Sequence, residues 1–546
     1  MLLTLAVTWG LGCFEPDPAP PLFDPFAQPL FDPVPSAESG VDSLGQWSAG
    51  VGVADVDGDG LPDLFVTDWY QSRLFRNLGD FVFEEVDNSA WREDPPPEPP
   101  PGGGPREGFQ GDVWGVTFAD YDNDGDPDLF LLTSAHNRLF RNDGDFTFVE
   151  VTDDAGLVGN EMTYSLAMQD YDGDGWLDMY VVNHMEIRFS VPEPGEQPDV
   201  EILPASDHLL RAKGDGTFED VTHLLPGELL TGTGWMAVWS DFDADGDRDL
   251  YVASELRLDG DSEPNHLFRN DGPDGSGGWL FTLADEGCFC DLVMAPMGVT
   301  PGDFDRDGDP DLFMTNTRVP GSDASQGIGE VLLRNEGGLV FTDVGIATGA
   351  NLANQEDGRR TISWGTDLFD ADNDGWLDLA IGYGPFFEDP DSPQPNGLLI
   401  NEGGSFRVHE DAGTSVPDDT RGLVAVDLNG DGCLDLVEAH TVTQPGIYKN
   451  RCESGHHWLQ LDLVGTTSPR DAFGARVQVT AGGVTWTEEI TGGTVHSSPW
   501  MTQHFGLGRT EAIDQITILW PSGLVETRTD VAIDRRVEAV EGSWAD

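Results

Sequence analysis

Seven copies of one short pattern of aspartates run through most of this chain. Each copy reads Asp-x-Asp-x-Asp-Gly-x-x-Asp, with one asparagine substitution in the last copy, and together they extend from residue 55 to residue 435. Alternate side chains in a tight loop converge on one point, and the glycine allows a backbone turn that residues with a Cβ resist. Carboxylates packed this closely repel one another unless something neutralises them. The pattern therefore predicts metal-binding loops, and the alternative is a set of Asp-Gly hairpin turns without metal.

The donor atoms of these loops favour calcium. Oxygen-only ligands suit a hard cation, and Ca²⁺ tolerates irregular geometry better than Mg²⁺ does. We expect side-chain oxygens from positions 1, 3, 5 and 9 and the backbone carbonyl of position 7, which predicts up to seven Ca²⁺ sites. The predicted ligands are Asp55, Asp57, Asp59, Leu61 and Asp63; Asp120, Asp122, Asp124, Asp126 and Asp128; Asp170, Asp172, Asp174, Trp176 and Asp178; Asp241, Asp243, Asp245, Asp247 and Asp249; Asp303, Asp305, Asp307, Asp309 and Asp311; Asp370, Asp372, Asp374, Trp376 and Asp378; and Asp427, Asn429, Asp431, Cys433 and Asp435.

Each loop belongs to a longer repeat with the pattern of four strands. Short apolar segments flank the loop, as in Trp114–Ala119 and Leu129–Thr133, and are typical of strands. A second signature such as Arg138–Asn142 follows, and then a fourth strand such as Phe146–Thr152. Successive first aspartates are 50 to 71 residues apart. Repeated four-stranded units of this size predict an all-β fold with a seven-bladed β-propeller.

The two ends of the ring are predicted to meet in the last blade. The seventh repeat lacks a fourth strand after Gly446–Asn450. The segment Phe31–Gly40, just before the first repeat, echoes the fourth-strand segment Phe148–Gly156. We infer that the N-terminal segment supplies the missing edge of the last blade, and the alternative is a plain linker.

The repeats resemble the FG-GAP/VCBS family, whose blades are also found in the heads of integrin α-subunits. The C-terminal part resembles the ASPIC/UnbV domain through His457–Leu461, Arg470–Val477, His504–Gly508 and Trp520–Gly523. It departs from that pattern at Pro469 and in the turn Thr494–Ser498. The combination is similar to the cartilage acidic protein family and its bacterial relatives, which implies an extracellular, calcium-loaded and mostly non-catalytic protein. The predicted divisions are an export signal (1–13), a proline-rich tether (14–29), the propeller (30–453) and a small C-terminal β domain (455–546).

The N-terminus predicts a secreted protein or one held in the cell envelope. Met1–Leu11 is apolar and too short to span a bilayer, which is typical of an export signal. It leads into Gly10-Leu11-Gly12-Cys13, which resembles a bacterial lipoprotein cleavage site with Cys13 as the lipidated residue of an outer-membrane lipoprotein. Gly10 stands where an apolar residue is usual, and no Lys or Arg precedes the apolar run.

Four cysteines remain beyond Cys13. Cys433 and Cys452 flank a predicted hairpin and are expected to form a disulfide in an oxidising compartment. Cys288 and Cys290 are too close for an ordinary unstrained bridge. They either form a strained one or remain thiols, and no cluster at zinc spacing surrounds them.

The charge of the chain limits its partners. Its 100 acidic and 27 basic residues give a net charge of −73. Nucleic acids and anionic membranes require basic patches. We therefore expect no nucleic-acid partner, and membrane contact only through lipid at Cys13.

The face opposite the calcium loops is the predicted partner surface. Long insertions between second and third strands collect there, and loops on a rigid scaffold often carry function. The insertions are His184–Ser206, Ser254–Pro264, Thr317–Glu330 and Tyr383–Pro395. Candidate contact residues at the strand ends are Trp69, Tyr70, His136, His184, Arg257, Arg318, Tyr383 and His440.

These features predict a non-catalytic binding or adhesion scaffold for an extracellular protein or glycan. The alternative is a carbohydrate-active propeller, a polysaccharide lyase or hydrolase with Tyr, His and Arg near the axis. The chain contains no His-Glu-x-x-His, Gly-x-Ser-x-Gly or phosphate-loop motif. Three or more of the strand-end His, Arg and Tyr residues within hydrogen-bond reach of one pocket would favour the enzyme.

Overall fold

The computed structural model describes residues 23–42, 48–68, 71–87, 90–91, 113–134, 136–157, 161–189, 200–226, 234–254, 264–276, 278–284, 288, 290–316, 329–352, 362–384, 395–414, 419–441, 443–492 and 496–544. The fold of these residues is almost entirely β. Their short helical turns are Ser36–Ser39, Thr152–Ala155, Gly345–Thr348 and the 3-10 turn Thr222–Leu224. None of the described helices is long and apolar enough to cross a membrane.

The repeats contain 29 strands within the described residues. They are β1 (Phe31–Pro33), β2 (Val51–Ala54), β3 (Asp63–Val66), β4 (Arg73–Asn77), β5 (Phe83–Glu85), β6 (Val113–Ala119), β7 (Asp128–Thr133), β8 (Arg138–Asn142), β9 (Phe148–Glu150), β10 (Met162–Gln169), β11 (Asp178–Phe189), β12 (Val200–Pro204), β13 (His208–Ala212), β14 (Phe218–Asp220), β15 (Gly234–Ser240), β16 (Asp249–Ser254), β17 (His266–Pro273), β18 (Trp279–Leu283), β19 (Val299–Gly302), β20 (Asp311–Met314), β21 (Val331–Asn335), β22 (Phe341–Asp343), β23 (Ser363–Phe369), β24 (Asp378–Tyr383), β25 (Gly397–Asn401), β26 (Phe406–Val408), β27 (Thr420–Val426), β28 (Asp435–His440) and β29 (Gly446–Asn450).

These strands form antiparallel sheets in chain order. Sheet 1 is β2–β5, sheet 2 is β6–β9, sheet 3 is β10–β14, sheet 4 is β15–β18, sheet 5 is β19–β22, sheet 6 is β23–β26, and sheet 7 is β27–β29 with β1. The first strand of each sheet contacts the first strand of the next, and β27 contacts β2. The sheets therefore surround a central channel lined by first strands, and the predicted all-β propeller class is confirmed. Sheet 3 differs from the predicted four strands, because β11 is extended and pairs with an additional strand, β12.

The ring closes through its N-terminal segment. β1 pairs antiparallel with β29, with Phe31 opposite Asn450 and Pro33 opposite Tyr448. Phe31 is buried, and its N–H donates to Ala412 O at 3.0 Å. The strand predicted from the sequence echo thus supplies the outer edge of sheet 7.

The segment predicted to be a proline-rich tether, residues 14–29, lies partly against the propeller. Within its described part, Phe26 stacks on His409 with ring centroids 5.3 Å apart, and the guanidinium of Arg407 lies over the same ring. Phe23 contacts His456 edge-on. Residues 23–29 therefore pack against the rest of the fold and do not form a tether, because the ring of Phe26 contacts side chains that follow or belong to β26 and the ring of Phe23 contacts His456. Residues 14–22 lie outside the described residues.

An asparagine at the end of the third strand links neighbouring sheets. In sheet 5 the amide of Asn335 donates to Phe242 O of sheet 4 at 2.9 Å and to Pro310 O at 3.2 Å, and its oxygen accepts from Gly337 N. We call the residues that make this contact the bridging asparagines. They are Asn77, Asn142, Asn270, Asn335, Asn401 and Asn450, and each reaches a carbonyl of the preceding sheet.

The junction between sheets 2 and 3 lacks this link. Sheet 3 has Ala212 where the other sheets have asparagine. A cavity of about 710 Å³ lies at the same junction, between Leu132 of sheet 2 and Met179 and Val181 of sheet 3. The polar side chains around it include His136 and His208. This junction therefore combines a missing asparagine link with a cavity.

The C-terminal residues fold as two further sheets. Their strands are β30 (His457–Val464), β31 (Arg476–Ala481), β32 (Val484–Glu489), β33 (Gln503–Gly508), β34 (Gln515–Leu519), β35 (Val525–Arg528) and β36 (Arg535–Val540). One sheet has the order β33-β30-β36 and the other β32-β31-β34-β35. The apolar core between them includes Leu461, Val477, Ile516 and Trp520.

Both cysteine pairs are disulfides. Cys433 bonds to Cys452, as the sequence predicts. Cys288 bonds to Cys290. Of the two alternatives that the spacing left open, a bridge or free thiols, the structure has the bridge. Both residues of the second pair are buried in the core between sheets 4 and 5.

Candidate metal-binding face

Each aspartate pattern folds as a tight loop between the first and second strands of its sheet. We number these loops 1 (55–63), 2 (120–128), 3 (170–178), 4 (241–249), 5 (303–311), 6 (370–378) and 7 (427–435). In loop 1 the carboxylate of Asp55 accepts N–H groups from Asp59 at 2.9 Å and from Gly60 at 2.8 Å. Gly60 has a φ of 89°, a conformation that glycine adopts without strain. The first aspartate of loops 2, 3, 5, 6 and 7 accepts N–H groups in the same way. In loop 4 Asp241 accepts a loop N–H from Gly246 alone, at 3.2 Å.

The ninth residue anchors each loop to its sheet. Asp63 is fully buried and accepts N–H groups from Val56 at 3.0 Å and from Asn77 at 2.8 Å. The equivalent aspartate in the other loops has the same two kinds of donor. Both ends of the ligand set are therefore positioned by backbone groups, before any metal binds.

The loops concentrate negative charge in a partly buried space. In loop 1 the carboxylates of Asp55, Asp57 and Asp63 bring one oxygen each within 4.8 Å of one another, and loops 2, 3 and 4 contain similar groups. Burial, followed by the charges of neighbouring loop aspartates, raises the pKa of Asp63 to about 7. The same causes raise the pKa of the ninth aspartate to about 9 in three other loops: Asp128, Asp249 and Asp311. A bound cation would offset this repulsion.

Several buried loop oxygens have no hydrogen-bond partner. They are Asp122 Oδ1, Asp172 Oδ1, Asp241 Oδ1 and Asp305 Oδ1, one each from loops 2, 3, 4 and 5. A buried acceptor without a partner is costly, and a cation at the centre of the loop would satisfy it. The donor set is oxygen throughout, which fits a hard cation such as Ca²⁺. These clusters can therefore bind metal ions, and their chemistry is compatible with calcium.

Loops 1 and 7 differ from the others. The guanidinium of Arg76 lies 2.6 Å from Asp57 and 3.0 Å from Asp59. Its counterparts in sheets 2, 4 and 5 pair instead with an acidic residue two positions later, as Arg141 does with Asp143, but that position in sheet 1 is Leu78. In sheet 3 Arg211 lies farther from its loop, 3.9 Å from Asp172. In loop 7 the amide of Asn429 donates to Asp431 at 2.8 Å. Each of these two loops thus carries a partial internal substitute for a cation.

The C-terminal domain covers the face that carries the loops. It contacts every one of them within the described residues: Arg536 donates to Gly60 O at 2.7 Å, Asp471 accepts from Asp120 N at 2.6 Å, Thr467 O approaches Gly175, Glu489 accepts from Asp241 N at 3.3 Å, Arg476 donates to Gly308 O, His504 Nε2 lies 2.7 Å from Asn373 Oδ1, and Gln460 donates to Asp427 at 3.0 Å. No pattern in the sequence predicts these contacts. The motifs that identify the domain supply several of these residues.

A buried ion pair joins the two parts of the chain at loop 4. Arg248 Nε lies 2.8 Å from Glu489 Oε1, and both side chains are less than one tenth exposed. The same guanidinium donates to Gly474 O, and Ser240 Oγ donates to Glu489 at 2.6 Å. The pair therefore has further hydrogen bonds on both sides, which is what makes a buried ion pair tolerable.

A short segment of the C-terminal domain enters the central channel. Ser498 pairs with β2: its N–H donates to Val51 O at 3.0 Å and its carbonyl accepts from Val53 N at 3.1 Å. His496 O accepts from Val116 N of β6 at 3.2 Å, and its ring lies 5.4 Å from that of Tyr164. First strands leave backbone groups facing the channel, so this segment (residues 496–498) satisfies part of them.

Glycines make room for this channel segment. A Cβ on Gly50 would overlap His496 O, and a Cβ on Gly422 would overlap Ser497 Oγ. Both glycines belong to the channel wall, Gly422 within β27. Gly50 and Gly422 are therefore the features of the sequence that indicate space for residues 496–498 in the channel.

The strand-end residues do not form one pocket. His184 lies edge-on to Tyr164 and Trp235, Tyr383 contacts Glu330 at 3.4 Å, and His440 contacts Glu438 at 3.0 Å. His136 is exposed and lines the cavity between sheets 2 and 3. Among the described candidates, no three share a site. The remaining candidates, Trp69, Tyr70, Arg257 and Arg318, lie outside the described residues.

Comparison with known proteins confirms the resemblance seen in the motifs. The FG-GAP-like repeat matches residues 55–131, 120–181, 241–314 and 370–438, and the ASPIC and UnbV family matches residues 465–545. The chain is 26% identical to cartilage acidic protein 1 of Xenopus tropicalis over 523 residues, which covers 89% of this chain and 72% of that protein. For cartilage acidic protein 1 of Mus musculus the identity is 25% over 515 residues, with the same coverage. The crystal structure of the V. cholerae biofilm matrix protein Bap1 aligns with a TM-score of 0.35 and 11% identity, over 76% of this chain and 90% of that one.

Proposed function

We propose that this chain, which combines FG-GAP-like repeats with a C-terminal ASPIC and UnbV domain, is a calcium-binding β-propeller that acts outside the cytoplasm as a non-catalytic scaffold. Its partner is an extracellular protein or glycan. Secretion or attachment to the cell envelope through Cys13 is part of the proposal. It agrees with the apolar N-terminus and with the disulfide chemistry of an oxidising compartment.

One observation carries the calcium part of the proposal. Four loops hold a buried aspartate oxygen without a hydrogen-bond partner, although backbone N–H groups position the rest of each ligand set. Such oxygens are ready to bind a cation and are costly without one. The sequence spacing and the geometry lead to the same residues.

The covered loop face supports a partner surface on the opposite side. The C-terminal domain occupies the loop side of the propeller and the segment 496–498 enters the channel from that side. The second strands end and the third strands begin on the opposite face, and among its described residues His136 is exposed. A partner would therefore meet this opposite face.

The enzyme alternative has less support. The described His and Tyr candidates at the strand ends are separated from one another and engaged in their own contacts. A catalytic site needs acid, base and binding groups around one reacting atom. The scaffold is therefore the function that the geometry favours.

Calorimetric titration of the full chain with Ca²⁺ tests the metal sites. At 1 mM Ca²⁺ and affinities of about 10⁻⁴ to 10⁻³ M, each site should stabilise the fold by roughly 0.4–1.4 kcal/mol. Chelation should therefore lower the melting temperature markedly, and Mg²⁺ should restore it poorly. The variant Asp122→Asn should lose one site, whereas Asp514→Asn, which removes an exposed charge elsewhere, should keep all of them. A melting curve that chelator leaves unchanged refutes calcium binding.

The sites should differ in affinity. Loop 7 has one carboxylate fewer, and loop 1 shares its aspartates with Arg76. We expect these two to be the weakest. Asn429→Asp should tighten the first, and Leu78→Asp should tighten the second by giving Arg76 an acidic neighbour. Titrations in which neither variant alters the weakest binding phase would contradict this order.

Capture experiments with the calcium-loaded chain test the partner. A glycan array and pull-downs from extracellular fractions should retain specific ligands, and His136→Glu should weaken retention if the partner meets the opposite face. Arg509→Glu, on the exposed surface of the C-terminal domain, is the matched control. Equal loss in both variants would exclude the opposite face as the binding surface.

A further inference from the structure

The C-terminal domain contacts the parts of the loops whose shape a cation would fix. Arg536, Arg476 and Trp486 all donate to the carbonyl of the sixth loop residue, which is Gly60, Gly308 and Gly375 respectively. These glycines have φ values of 89°, 96° and 85°. The carbonyls point at the domain only while each loop keeps its tight turn. The domain therefore recognises the folded conformation of the loops.

The domain also adds negative charge to a face that is already acidic. Asp471 is half-buried against loop 2, where it accepts the N–H of Asp120. Glu489 is buried against loop 4, where it accepts the N–H of Asp241. At loop 2 the aspartates are close enough to repel Asp471, because Coulomb energy rises as distance and dielectric constant fall. At loop 4 Arg248 offsets the charge of Glu489. A cation bound in the loop would offset this repulsion between carboxylates.

The channel segment is joined to a loop contact through the chain. Residues 496–498 pair with β2 and β6, and in the following strand, β33, Gly508 N donates to Asn373 O of loop 6 at 2.8 Å. The domain and the channel segment are thus seated together. Losing the loop contacts would withdraw the segment and open the channel.

From these contacts we infer that the loop face is a calcium-gated docking surface for the chain's own C-terminal domain. The domain binds the calcium-loaded loops, closes the channel with residues 496–498, and is released when calcium leaves. This inference rests on the proposed calcium binding. By linkage, docking also tightens calcium by the same factor by which calcium tightens docking.

Hydrogen exchange of the full chain with and without chelator tests the release. With calcium, peptides that contain Ser498 and Gly508 should exchange slowly; with chelator they should exchange at least about tenfold faster. Peptides from β34, inside the C-terminal domain, should stay protected, which separates undocking from unfolding. Unchanged protection of residues 496–508 in chelator, with calcium removal verified, overturns the inference.

A reciprocal measurement covers the case in which chelation unfolds the whole chain. Arg476→Ala removes a docking contact without touching a loop aspartate, so it should weaken calcium binding by at least about fivefold, within the usual range of coupling between sites. Arg509→Ala, an exposed arginine of the same domain, should leave the affinity unchanged. Equal affinities in both variants and the unmodified chain overturn the coupling. A chain that binds no calcium at all instead refutes the proposed function.

Discussion

Replacing a bridging asparagine by alanine should weaken the ring by an amount that the hydrogen bonds set. Asn335 is fully buried, and its side chain makes three bonds, to Phe242 O, Pro310 O and Gly337 N. A buried bond contributes about 0.5–1.5 kcal/mol net, and more when its partner is left without a replacement. Asn335→Ala should therefore lower the free energy of unfolding by roughly 1.5–4.5 kcal/mol. Urea unfolding in saturating Ca²⁺, followed by tryptophan fluorescence, measures the loss.

The chain provides the reverse experiment at an equivalent position. Ala212 stands where sheet 3 would carry its bridging asparagine, and Ala212→Asn would place an amide near Tyr121 O of sheet 2. We expect it to stabilise the fold by about 0.5–1.5 kcal/mol, the value of one added bond. A loss below about 0.5 kcal/mol for Asn335→Ala would refute the assignment of the asparagines as links between sheets. A destabilised Ala212→Asn variant would show that the sheet 2–3 junction cannot accept the link.

Three more predictions concern acid, the buried ion pair and ring closure. Burial lowers the pKa of His496 to about 3, so below pH 6.5 this histidine binds a proton in the unfolded chain but not in the folded chain. The free energy of unfolding should therefore decrease as the pH is lowered, with His496 contributing a loss of about 2 kcal/mol between pH 7.5 and pH 5. In calcium-saturated urea unfolding, His496→Asn should reduce that slope, and an equal slope contradicts the cause. Glu489→Gln leaves Arg248 buried without its counter-ion and should cost about 3–5 kcal/mol, more than the double variant Arg248→Met with Glu489→Leu; an equal cost in a denaturation series would exclude the pair's role. Deleting residues 14–22 should leave the melting temperature unchanged, whereas deleting 14–34 removes β1, exposes an edge and should cause aggregation; indistinguishable solubility would show that the ring closes without β1.

The sequence predicts the parts of the fold that repeat. The conformation of a loop such as 55–63 is determined locally, because its aspartates, glycine and flanking strands are neighbours in the chain. Seven repetitions make the periodic signal strong, and the echo in Phe31–Gly40 extends it to the closing strand. The ninth aspartate and the asparagine of the third strand recur in the same way, although their hydrogen bonds become visible only in the structure.

The position of the C-terminal domain over the loops could not be predicted from the sequence. The contact between Arg536 and Gly60 joins residues 476 positions apart, and the residue type that makes the contact changes from loop to loop, with only arginine used twice. A feature that occurs once has no periodicity to reveal it. The turn Thr494–Ser498 departs from the family pattern, and that departure does not predict that its described residues 496–498 pair with the inner strands.

The strand that closes the ring also determines when the ring can close. Arg451 and Asp32, which pair across the seam between β29 and β1, lie 419 residues apart. At synthesis rates of about 5–20 residues per second, the first of these residues waits roughly 20–80 s for the second. During that time sheets 1–6 can form, but the growing ring has an exposed strand at its open end, which is a template for wrong pairing. We therefore expect newly made chains to be prone to wrong strand pairing until sheet 7 is synthesised. In the complete ring the same edge is paired with β1, so it no longer offers a template for wrong pairing.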